Sequence, residues 1–160
     1  MTLLNVARKR LNHAVATMLL FSAVLASTLT GAPLYANSNA QPTLPTVTLS
    51  INNAQLKTEI ANTAQQRYMG LSFRQTMADS EAMLFVYDRE QALIFTMRNT
   101  LIPLSIAFVS KDFVINEIVD MPVGAKQNFP SQKPAQFALE VNQGWFARNG
   151  VGVGDQIKIQ

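Results

Sequence analysis

The sequence predicts a mainly β domain, a compact antiparallel sandwich or partly closed barrel with one or two short helices. Three observations carry that prediction. Seven or eight short apolar or alternating runs follow one another, each of strand length. Asn, Gly, Pro and Ser clusters stand between the runs, where turns need them. Only two brief stretches carry helix-capping signals, so helices are accessories to a sheet.

Val47, Leu49 and Ile51 alternate with Thr48, Ser50 and Asn52, the pattern of a half-buried strand. Asn52-Asn53 is a turn signal, and Leu56 to Ile60 returns as the second strand of a hairpin. Thr63 to Gly70 suits a short helix, with Thr63 as N-cap and Gly70 as its stop. A polar loop around Met77 to Glu81 leads to a strand over Met83 to Tyr87. Leu93 to Met97 and Leu104 to Val109 follow as strands, then Phe113 to Val119 after a tight turn at Ser110-Lys111-Asp112. Met121 to Pro134 holds Gly124 and three prolines and reads as a long loop. Gln136 to Val141 alternates, with Phe137, Leu139 and Val141 on one face and Glu140 opposite. Asn142 is expected to cap a helical turn containing Trp145 and Phe146, closed by Asn149-Gly150. Asp155 to Ile159 is the last strand. The unbroken apolarity of Met83 to Val86 and Leu101 to Val109 predicts central strands covered on both faces.

Ahead of this domain lies a targeting pattern. Arg8, Lys9 and Arg10 precede an apolar stretch from Ala14 to Leu29, and Leu34-Tyr35-Ala36 ends in a small residue suited to signal peptidase. Residues 1–36 read as a signal peptide, 37–45 as a flexible leader and 46–160 as a single domain, placed in the periplasm or secreted. The stretch is shorter than the roughly 20 residues that span a bilayer comfortably; an uncleaved anchor is the alternative. No cysteine follows, which excludes a lipidated cysteine.

Cleavage changes the chemistry available. The chain has 13 Lys+Arg and 10 Asp+Glu, but three of the basic residues fall in the signal segment, leaving a neutral mature domain. Scattered, balanced charge argues against nucleic acid as a partner and against an anionic membrane surface. After cleavage no stable membrane insertion is expected. The one histidine, His13, is lost as well, and cysteine is absent. Disulfides, Ser-His-Asp and Cys-His catalysis, and zinc sites built on His or Cys are therefore excluded. Asp79, Glu81, Asp112, Glu117 and Asp120 lack calcium-loop spacing. Gly150 to Gly154 precedes a strand rather than a helix, which makes it a turn and not a phosphate loop. No metal and no cofactor is expected.

Four ordered motifs carry a family resemblance. Met69-Gly70-Leu71-Ser72-Phe73-Arg74 is similar to an Arg-Gly-Leu-Met-Phe-Arg motif, and Ala82-Met83-Leu84-Phe85-Val86 to Gly-Met-Leu-Phe-Val. Phe95 to Ser105 resembles Phe-Trp-Met-Lys-Asn-Thr-Leu-Ile-Pro-Leu-Asp. Ala138-Leu139-Glu140-Val141 with Gly144 and Gly154-Asp155 resembles the C-terminal end of the same family, the uncharacterised domain of unknown function 192. The resemblance spans about Thr46 to Ile159 and implies a small, jelly-roll-like β protein, often exported, with no established activity. Thr96 stands where the family pattern has tryptophan, Ser105 and Ser110 where it has acidic residues, and the loop near Met121-Pro122 lacks cysteines common there.

The candidate ligand-binding residues are Arg98, Asn99, Thr100, Arg74 and Glu140; no residue is assigned a catalytic role. An arginine fork, an amide and a hydroxyl between two strands suit a carboxylate, a phosphate or a sugar hydroxyl pair. Turn chemistry alone also explains Asn99-Thr100, with Arg98 paired to Glu140. Arg74 offers either a second anion contact or an ion pair. Three readings stand: an exported binding or accessory module for a small anionic or sugar-like ligand or a protein partner; a carboxylate-dependent hydrolase or carbohydrate-active enzyme using Glu140; and a structural periplasmic component without a ligand site.

Overall fold

The structure is a computed structural model that describes residues 39–160; the expected signal segment, its expected cleavage point and the first residues of the expected leader lie outside the described residues. The domain is built from nine strands and two short helices: β1 (Thr46–Ile51), β2 (Ala54–Ala61), α1 (Ala64–Met69), β3 (Glu81–Gln91), β4 (Ile94–Phe95), β5 (Leu104–Val109), β6 (Ile115–Met121), β7 (Phe129–Pro130), β8 (Ala135–Asn142), α2 (Trp145–Arg148) and β9 (Ile157–Ile159). Seven strands form one curled, half-barrel sheet in the order β6-β5-β8-β3-β2-β1-β9, and β4 with β7 forms a small second sheet. The mainly β, partly closed barrel predicted by the sequence is the fold observed. All neighbours in the large sheet run antiparallel except β2 and β3, which are parallel and joined through α1, since a parallel return needs a crossover.

The sheet separates two apolar layers. Leu84, Phe137, Leu139, Val141, Ala107 and Val109 face one layer with Trp145, Phe146 and the β1, β2 and β9 side chains. Met83, Phe85, Ile106, Phe108 and Ala138 face the other, covered by Leu93, Phe95, Met97, Ile102 and Phe129. β5 is buried along its whole length, which is why its sequence does not alternate.

The local signals act as expected at α1. Thr63 Oγ1 accepts from the Gln66 N–H, while Gln66 Oε1 accepts from the Thr63 N–H, closing a capping box. Gly70 ends the helix at φ +48°, and a Cβ there would lie 3.2 Å from the Phe85 ring. The backbone conformation thus calls for glycine, and any Cβ there would also press on the Phe85 ring.

Several expectations need refinement. The strand expected over Leu93 to Met97 is shorter, Ile94–Phe95 alone, and pairs with β7 in the small sheet. The loop from Met121 to Pro134 therefore contains a strand, and Pro130 is tolerated because a two-stranded ribbon consists of edges. Asn142 does not cap α2. It ends β8 and its amide donates to Met77 C=O at 2.9 Å, whereas Gly144, at φ +76°, occupies the N-cap position. Phe113 lies ahead of β6 at φ +62° and stacks on Phe137 with ring centroids 4.4 Å apart. The end of the leader is also tied to the domain. Gln41 Nε2 donates to Gly70 C=O at 2.8 Å, Leu44 N–H to Glu59 Oε2 at 2.7 Å, and Pro45 C=O accepts from Ile60.

Candidate functional site

Strand register puts a carboxyl group where the apolar pattern leaves a gap. Glu140 lies in β8 opposite Met83 of β3 and Ile106 of β5, on the layer that also holds Ala138. The strand period of two sends Leu139 and Val141 the other way. Glu140 is only 5% exposed, yet it forms no hydrogen bond or ion pair with another described residue. Burial alone pushes its pKa up to about 8, because a low-dielectric surround disfavours the charged form and nothing compensates. At neutral pH it is a carboxylic acid, able to donate as well as accept.

Glu140 opens on a cavity of about 420 Å³ between α1, β3, β4 and the Thr96–Thr100 turn. Arg67 and Tyr68 of α1, Phe85 and Tyr87 of β3, and Arg98, Asn99 and Thr100 line it with Glu140. Strand alternation puts Tyr87 on the same face of β3 as Met83 and Phe85, and just beyond Val86 the strand leaves its register with β8. The Gln136 amide donates to the freed carbonyls of Tyr87 and Asp88 at 3.1 and 3.4 Å. The Arg67 guanidinium lies 4.8 Å from the Tyr87 ring centroid and donates to Asn62 C=O and Val86 C=O at 2.7 and 2.9 Å. Burial raises the Tyr87 pKa; Arg67 opposes that shift and Glu140 adds to it. Tyr87 is therefore electrostatically linked to both groups.

The mouth is spanned by Arg98. Its Nη2 donates to Tyr68 Oη at 3.0 Å, and its guanidinium lies 5.7 Å from that ring's centroid. Asn99 occupies the left-handed region at φ +61°, a conformation asparagine tolerates, and the Thr100 N–H closes the turn onto Met97 C=O at 3.1 Å.

The cavity brings together four of the five residues singled out from sequence, Arg98, Asn99, Thr100 and Glu140. Arg98 is not paired with Glu140; its partner is Tyr68. Arg74 is elsewhere: it forms a bidentate pair with Glu59 at 2.5 and 2.7 Å and does not line the cavity. Arg67, Tyr68 and Tyr87 were not legible as site residues. Their only sequence signal is proximity to Gly70 and to the Met83–Val86 motif.

Ser105, the position where an acid stands in the family pattern, faces the opposite layer from Glu140. Its Oγ donates to Asp120 on the neighbouring strand and accepts from Gly144 N–H at 2.8 Å. A carboxylate, that of Asp120, thus lies beside this position across the strand pair, near the start of α2 and not in the cavity. Among the described residues no group of His, Cys, Asp and Glu could hold a metal ion. No helix among them is long and apolar enough to cross a membrane.

Residues 47–159 match the family DUF192, Uncharacterized ACR. The chain belongs to the DUF192 family. No curated protein matches it. Two solved structures share its DUF192 fold. One, described as a "putative transcription regulator" from Sinorhizobium meliloti 1021, is 26% identical with a TM-score of 0.72, over 75% of this chain and 98% of that one. The other, a protein of unknown function from Novosphingobium aromaticivorans DSM 12444, is 29% identical with a TM-score of 0.70, over 82% of this chain and 99% of that one. The Gly70, Phe85 and Arg98–Thr100 segments that resemble the family's motifs are those that wall the cavity.

Proposed function

We propose that this DUF192 domain is an exported binding module that takes a small polar molecule into the cavity between α1, β4 and β8, with Glu140 as its innermost anchor. The observation that carries the reading is the Glu140 carboxyl group, buried at the cavity wall without a hydrogen-bond partner among the described residues. The carboxyl oxygens stay accessible from the cavity instead of being sealed in the core, so an occupant can complete hydrogen bonds that no described residue makes. Concave shape, aromatic walls and a few converging polar groups are the usual make-up of a small-molecule site. Export rests on the N-terminal targeting pattern alone.

A carboxylate-dependent enzyme is the second reading, favoured by a carboxylic acid that keeps its proton near neutral pH. Among the described residues Glu140 is the only carboxylate lining the cavity, whereas glycoside hydrolysis in its common form uses two. The regulator description of one structural neighbour raises DNA as a ligand; balanced, scattered charge in this domain favours a small molecule instead.

A thermal-shift screen of organic acids, sugars and phosphates tests the reading, since a ligand of the native state raises the melting temperature. Binding that disappears in Glu140→Leu and perturbs cavity resonances supports it. Hits that perturb only residues remote from Glu140 and Arg98, or no hits at all, count against it.

A further inference from the structure

Resting on the binding reading above, we infer that the ligand is a hydroxylated organic anion, a hydroxycarboxylic or sugar acid, whose carboxylate meets the arginines of the cavity and whose hydroxyl group reaches Glu140.

The partners of the arginines carry the argument. Arg74 and Arg148 are matched with carboxylates, Glu59 at 2.5 Å and Asp79 at 2.7 Å, and neither lines the cavity. Arg67 and Arg98 line it, and neither has a carboxylate salt bridge among the described residues. Their bonds go to neutral groups: Arg67 to two backbone carbonyls, Arg98 to the Tyr68 hydroxyl. A guanidinium has five N–H donors, so both retain donors for an incoming group.

Glu140 does not cancel these charges, because burial keeps it protonated at neutral pH. The cavity therefore presents two cations and a neutral acid, a field that favours an anion. A protonated carboxyl has a donor and an acceptor side by side. A hydroxyl group satisfies both roles, which an aliphatic acid without hydroxyls cannot do at the same time as it pairs with arginine. The aromatic surfaces of Phe85, Tyr87 and Tyr68 suit the carbon skeleton between. Inorganic phosphate satisfies the charge and leaves most of about 420 Å³ unfilled.

Titration calorimetry and ¹⁵N-NMR on the protein with D-glucuronate, D-glucose, propionate and inorganic phosphate test the class. Glucuronate is expected to bind at least ten-fold tighter than the other three, with shifts centred on Arg98 and Glu140. Arg98→Ala, a substitution on an exposed turn, should bring glucuronate down to the level of glucose and leave the fold intact by NMR. Glucose binding as well as glucuronate in this cavity overturns the anion assignment and leaves the binding reading standing. Phosphate or propionate binding as well as glucuronate overturns the hydroxyl assignment in the same way. If none of the four perturbs the cavity the inferred class is wrong, and the wider screen then decides whether the cavity is a binding site at all.

Discussion

Phe73 and Asn99, two non-glycine residues in left-handed backbone at φ +63° and +61°, are joined by the Phe73 N–H donating to Asn99 C=O at 2.7 Å. The bond fastens the turn after α1 to the turn before β5, two of the segments that wall the cavity. A left-handed conformation costs roughly 1–2 kcal/mol for an ordinary residue and less for Asn. Asn99→Ala is accordingly expected to lower stability by about 1 kcal/mol and Asn99→Gly to leave it near the wild-type value. Denaturant unfolding distinguishes the two; equal losses would show that the Asn99 side chain, not the backbone conformation, is what the turn requires.

Gly70 sits on the same wall. Gly70→Ala places a Cβ 3.2 Å from Phe85 at φ +48°, so strain and crowding act together. A loss of about 1–3 kcal/mol is expected, with displaced Phe85 resonances, and an unchanged melting temperature would contradict this geometry.

Arg74 and Glu59 have side chains 16% and 11% exposed, and Glu59 also accepts from the Leu44 N–H at 2.7 Å. Arg74→Ala leaves a half-desolvated carboxylate, at a cost on the order of 1–3 kcal/mol once solvent screening is allowed for. Cavity resonances at Arg98 and Glu140 should stay in place. Loss of ligand binding in this variant at full stability would return Arg74 to the site.

The fold was largely readable because its cause is local. Alternation in β1 and β8, the unbroken apolar run of β5, and the capping box at Thr63 each state one conformation. What failed was long-range. Nothing near Leu93 says that Ile94 and Phe95 pair with Phe129 and Pro130, some 35 residues on, and nothing near Asn142 announces its bond to Met77. The site follows the same division. Arg98, Asn99 and Glu140 announce themselves as polar residues inside apolar motifs. Arg67 and Tyr87 do not, because an arginine in a helix and a tyrosine in a strand are ordinary until tertiary packing stacks one over the other at 4.8 Å.

Stability should carry the mark of Glu140. Unfolding returns the carboxyl to its ordinary value of 4.5, whereas the folded state holds it near 8. Below pH 4.5 both states keep the proton and the group contributes no pH dependence. Between 4.5 and 8 the folded state binds more protons than the unfolded chain, so stability falls as pH rises, by a few kcal/mol at most, and levels off above that window. Glu140→Gln removes this slope and is expected to melt several degrees above wild type at pH 9 while matching it near pH 4. Parallel curves for the two proteins would contradict the assignment.

The most direct measurement is a ¹³C-NMR titration of the Glu140 side-chain carboxyl in the intact protein. The arrangement described here predicts a midpoint near pH 8, displaced when an anionic ligand occupies the cavity. A midpoint in the usual glutamate range, near 4.5 and indifferent to ligand, would mean that Glu140 is solvated or paired and that the cavity has no buried acid to anchor a ligand.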